Sequence, residues 1–159
     1  MRRFIVPVLA LACATVAFAR PATVRWPPWL SIESPVNPFD RDNNGAVLLV
    51  HASAREGVPV LADLGGSAEG IVNGSRRSVP LRLDATSRPG VFAVRRQWPS
   101  DGTWLLRISF HATTAIVTLD RDGSVASVRV PTQLQGGNQI PRAVAAKEID
   151  STLAAAARR

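Results

Sequence analysis

Cysteine is almost missing from this chain of 159 residues, and Cys13 is the single example. Tyrosine is absent, methionine occurs only at the first position, and lysine only at Lys147. Cys13 lies inside the apolar opening segment MRRFIVPVLALACATVAFA, where Arg2 and Arg3 precede a run from Phe4 to Ala19. That run falls short of the roughly 20 residues a helix needs to span a bilayer. It ends in the small-residue pattern Ala17-Phe18-Ala19, and residues 1–19 read as a cleaved secretory signal peptide. Removing it removes the thiol, so the mature chain has no disulfide, thiol nucleophile or thiolate metal site. Its stability must come from a packed core. A second reading takes Leu11-Ala12-Cys13 as a lipobox and Cys13 as a lipidated first residue, although Ala10 stands where Leu is usual. Either way the chain is exported, periplasmic or extracellular, and its mature part carries no transmembrane span.

Other absences exclude further classes. A clustered basic stripe with interleaved aromatics would suit nucleic acid. Here the arginines are mostly scattered among Asp and Glu, and only Arg76-Arg77 and Arg95-Arg96 come close to a cluster. The formal charge of +7 drops to +5 when Arg2 and Arg3 leave with the leader. This argues against nucleic acid and leaves contact with an anionic envelope surface open. No Gly-x-Ser-x-Gly elbow occurs, and no Gly-rich phosphate loop follows a strand and opens a helix. Strand–helix–strand alternation is missing as well.

What is present is a series of short alternating segments. Residues 20–28 form a proline-bearing lead-in, and Leu30–Ser34 reads as an edge strand before Pro35 and Pro38. Asp40–Gly45 is a turn, and Ala46–Ala54 is a buried strand with Leu48, Val50 and Ala52 on one face and Val47, Leu49 and His51 on the other. Val58–Leu64 begins the next strand, which Gly65-Gly66 ends. Ile71-Val72 is a short piece, and Asn73-Gly74 is a turn that is also a formal glycosylation sequon. Ser78–Leu83 carries Pro80 and reads as an edge. In RPGVFAVRRQWPSDGTWLLRISF, Phe92 and Val94 share a face, and so do Trp104, Leu106, Ile108 and Phe110. Ile116–Leu119 and Val125–Val130 flank Asp120-Arg121-Asp122-Gly123, a hairpin signal. Residues 133–159 open with the polar loop Gln133–Asn138. From Pro141 to Ala157 the apolar period is helical, through Ala145, Ile149, Leu153 and Ala156.

Residues 29–132 are therefore expected to form an all-β, immunoglobulin-like antiparallel sandwich of seven to nine strands, followed by a C-terminal helix. Phe92 and Trp104 both start strands after glycine turns, so they would fill one end of the core. Trp98, before Pro99, is either a core residue or an exposed ligand platform flanked by Arg95 and Arg96.

The runs Glu56-Gly57-Val58-Pro59-Val60, Pro89-Gly90-Val91-Phe92-Ala93-Val94 and Gly102-Thr103-Trp104-Leu105-Leu106-Arg107-Ile108 resemble bacterial periplasmic YtkA/FixH-like domains, which are related to copper-resistance Ig-like modules. The resemblance covers Ala46 to Phe110, with Phe92 where the family often has Tyr. It implies an exported Ig-like sandwich, and copper handling as an inheritance. The mature chain lacks Met, Cys and Tyr, so a copper or zinc site would rest on His51 and His111 with a carboxylate, provided their strands are neighbours. Asp40, Asp42 and Asn44, with Gly45, match the first half of a calcium loop, but His51 stands where the bidentate Glu belongs. The expected function is a non-catalytic binding or assembly module facing another envelope protein. Metal handling by copper or calcium comes second, and a hydrolase without an assigned site third.

Overall fold

The computed structural model describes residues 28–53 and 64–158. The leader, Cys13, most of the lead-in, Val58 to Asp63 and the Glu56–Val60 motif lie outside them. Strands β1 (Trp29–Glu33), β2 (Ala46–Ser53), β5 (Asp84–Ala85) and β6 (Val91–Arg95) form a four-stranded antiparallel sheet in the order β1-β2-β6-β5. Strands β3 (Leu64–Val72), β4 (Ser75–Pro80), β7 (Thr103–Phe110), β8 (Thr113–Leu119) and β9 (Val125–Arg129) form a five-stranded antiparallel sheet in the order β4-β3-β7-β8-β9. A hairpin of β10 (Thr132–Gln135) and β11 (Asn138–Pro141) precedes the helix α1 (Ala146–Ala156).

Alternation decides which side chains meet. Leu30, Leu48, Val50 and Val94 from the four-stranded sheet share one buried cluster with Ala68, Trp104, Leu106, Ile108, Phe110 and Val117 from the five-stranded sheet. The arrangement is therefore sandwich-like, with one core between two sheets. Each sheet also has cover on its outer side. Leu49, Val91 and Ala93 pack under Val36, while Leu105 and Ile116 pack under Val144, Ile149 and Leu153. This explains why β2, β7 and β8 read as apolar on both faces.

Several expectations need correction. The two sheets hold nine strands, within the expected seven to nine, and the separate β10–β11 hairpin adds two more among the described residues. Gly65-Gly66 does not end a strand; both lie inside β3. The reason is close approach: a Cβ on Gly66 would fall 3.0 Å from the Arg107 carbonyl oxygen and 3.3 Å from the Leu81 side chain. The polar loop at Gln133–Asn138 is instead a hairpin turning on Gly136-Gly137, both at positive φ. The helix starts at Ala146 rather than Pro141, because Arg142 is held extended by backbone bonds to Pro131 and Thr114. Val47 packs with the main core despite its expected phase, because a bulge between Ala46 and Leu48 shifts the register.

Candidate functional site

The two histidines are not brought together. His51 lies in β2, and its Nε2 meets Glu33 Oε2 of β1 at 2.8 Å. His111 belongs to the turn joining β7 to β8 in the other sheet, at φ 49°, with its ring edge-on to Phe110. The neighbouring strands that a shared copper site requires are therefore lacking. Among the described residues no group of three or more His, Cys, Asp and Glu is placed to hold a metal ion.

The would-be calcium loop is also turned to another purpose. Asp40 Oδ2 accepts a 2.7 Å hydrogen bond from Asn43 Nδ2 and lies 3.7 Å from Arg88. Asp42 Oδ2 accepts from Ser87 Oγ at 3.3 Å, and Asn44 faces solvent. Asn43, which the ligand pattern passes over, is only 2% exposed and is the residue that closes the turn around Arg41–Asn43. The oxygens form a hydrogen-bonded loop rather than a converging cage.

Trp98 is 4% exposed and belongs to the core, which removes it as a surface platform. Its flanking arginines are latches. Arg95 pairs with Asp84 at 2.9 Å. Arg96 donates to the carbonyls of Trp98, Pro99 and Asp122, so it ties the loop after β6 to the turn between β8 and β9.

The recess that the chain does build lies on the outer face of the five-stranded sheet. Helix α1 packs its Ile149 and Leu153 against Leu105 and Ile116 and leaves β9 uncovered. Its last turn offers only alanines. A groove of about 520 Å³ opens there, between Gly102, Thr103, Thr118 and Ala126 on the sheet side and Ala156 and Ala157 on the helix. A second, narrower recess of about 160 Å³ adjoins it, sharing Thr118 and Ala156 and lined further by Ile116, Ser127, Arg129, Thr152 and Ala155.

The wide end is bordered by Asp120, Arg121 and Asp122 of the β8–β9 turn. Asp122 is held ionised: the Ser124 backbone N–H (2.9 Å) and hydroxyl (2.7 Å) both donate to Oδ1 and lower its pKa. The α1 C-terminus, which carries partial negative charge, has no basic residue in its last turn, and Arg158 follows directly after the cap Ala157. At the narrow end Arg129 is already engaged, 3.4 Å from Glu148 and 3.2 Å from Thr152 Oγ1.

Sequence reasoning missed this groove. Asp120–Gly123 reads only as a turn and the alanine-rich tail only as a thin stripe, and the recess exists because of where that stripe docks. The chain matches no family model, no curated protein and no solved structure.

Proposed function

We propose that this chain is an exported, non-catalytic Ig-like module of the bacterial cell envelope that works by binding or assembly, of the kind that the YtkA/FixH-like resemblance implies. The leader-like residues 1–19 support export, and the pairing of two antiparallel sheets over one core supports the Ig-like assignment. One observation carries the binding reading: β9 is an exposed sheet edge beside an open groove. Four of its five residues are exposed, including Val128 at 43%.

The other edges of the two large sheets carry blunting devices: β1 lies between Pro28 and Pro35 and carries Glu33, β4 carries Arg76 and Arg77 and ends at Pro80, and β5 has two residues. β9 has a bulge opposite Thr118–Leu119 and one charge, Arg129, which Glu148 and Thr152 hold against the helix. Exposed sheet edges recruit other chains, and a binding module uses that property.

A photoreactive residue replacing Val128 in the full chain, expressed in its own cells, is expected to form an adduct with an envelope component. The same residue at Asn73, on the exposed β3–β4 turn, is expected to form none. Equal labelling at both positions, or none at Val128, would overturn the reading. Calorimetric titration with Cu(II) and Ca(II) is expected to show nothing tighter than micromolar; a tighter site would replace binding with metal handling.

A further inference from the structure

We propose that Asn44 is a covalent modification site, deamidated by attack of the Gly45 backbone nitrogen on its side chain, while Asn73, in the same Asn-Gly dipeptide, is protected by the fold.

The chemistry needs no reactant beyond water. The Gly45 amide nitrogen gives up its proton to solvent base and bonds to the Asn44 Cγ. The Cγ–Nδ2 bond breaks and ammonia leaves, closing a five-membered succinimide ring. Water then opens the ring at one of its two carbonyls and leaves aspartate or isoaspartate, with no change of oxidation state. Glycine in the second position matters because it puts no Cβ in the way of the ring.

Asn44-Gly45 and Asn73-Gly74 are the two Asn-Gly pairs of the sequence. All four residues are exposed, and a Cβ built on either glycine would meet nothing within 4 Å, so both sites have room for the ring. No backbone carbonyl among the described residues accepts the Gly45 or the Gly74 N–H. Sequence and exposure leave the two sites equal.

Backbone conformation separates them. Closure swings the glycine nitrogen about the Asn Cα–C bond until it eclipses Cβ, a near-attack arrangement that depends on ψ. Asn44 is extended, at φ −57° and ψ 135°, and a further swing of ψ through the extended region carries it toward closure. Its own N–H is held only by a 3.5 Å contact with the Arg41 carbonyl. Asn73 is left-handed at φ 49° and Gly74 follows at φ 75°, in the two-residue turn of a hairpin whose flanking residues Val72 and Ser75 are paired. The left-handed well is narrow, and reaching closure from it means undoing the end of that ladder. Asp122-Gly123 could form the same ring by loss of water. There the Gly123 N–H is taken by the Asp120 carbonyl, and Ser124 holds the Asp122 carboxylate.

The test ages the full chain at neutral and at mildly alkaline pH, maps both sites by peptide mass spectrometry and detects isoaspartate by enzymatic methylation. Conversion at Asn44 is expected to run about tenfold faster than at Asn73, the protection given by one or two hydrogen bonds at a hairpin end. It is expected to be faster at the alkaline pH and to yield isoaspartate as well as aspartate. In guanidinium chloride, which removes the turn, the two sites are expected to react alike. Asn44→Gln, whose amide is one methylene too far for the five-membered ring, is expected to silence the site and leave the thermal melt unchanged.

Equal or faster conversion at Asn73 in the folded chain overturns the inference. So does an intact Asn44 in the folded chain after a time in which the denatured chain has converted both sites. Aspartate without isoaspartate at residue 44 would mean direct hydrolysis by water, and overturns it as well.

Discussion

Trp104 shows how much one side chain can organise. It is 4% exposed, its indole N–H donates to the Asp101 carbonyl at 2.7 Å, and its ring lies against the backbone of its cross-strand partner Gly70. A Cβ at residue 70 would run into that ring. Trp104→Ala is expected to cost about 3–5 kcal/mol in chemical denaturation, and Gly70→Ala about 1–3 kcal/mol through overpacking. A Gly70→Ala melt equal to wild type would show that the ring moves freely.

Asp122 gives a pH prediction. Its pKa is depressed in the folded chain by the two Ser124 hydrogen bonds. The stabilisation it provides is present above the unfolded-state pKa and is lost as pH falls through the lower folded value. A carboxyl NMR titration is therefore expected to place its midpoint below the ordinary aspartate range, and Ser124→Ala, which removes the hydroxyl and keeps the backbone N–H bond, is expected to move it part of the way back up. At this scale the sequence was legible where period two applied: Trp104, Leu106, Ile108 and Phe110 face inward together. It was not legible for Trp98, because burial of a turn residue depends on what the other sheet places over it.

Elements differ in how far local pattern determines them. β7 is specified by its own alternation, whereas β3 contains LGGSAEG, a poor strand by propensity that is held between β4 and β7. The helix depends on docking. Its buried residues are Ile149 and Leu153, and its polar flank is held by Glu148 with Arg129 and Arg142 and by Asp150 with Arg76. Leu153→Ala is expected to cost about 2–5 kcal/mol and to expose Leu105 and Ile116, read as increased binding of a hydrophobic dye below the melting transition. An unchanged dye signal would mean that the helix stays docked without that anchor. The same docking creates the candidate groove, which is why no window of sequence announces it: its walls come from residues near 102, 118, 126 and 156.

For the whole molecule, the all-β class and the terminal helix were readable from turn spacing and from the change of period near Pro141. The nine strands of the two sheets fall within the expected range, but the β10–β11 hairpin was not readable, because its strands are too short to alternate visibly. The proposed export route makes its own prediction. Residues 1–19 fused to a reporter active only outside the cytoplasm are expected to give activity, lost when Leu9 and Leu11 become Arg; a silent fusion would remove the envelope assignment. The core described above also has an optical consequence. Tyrosine is absent, so ultraviolet-excited emission comes from indoles, of which Trp98 and Trp104 are enclosed while Trp29 is 55% exposed. Loss of the native state should therefore shift the fluorescence maximum to longer wavelength, giving this chain a built-in, label-free gauge of its own integrity.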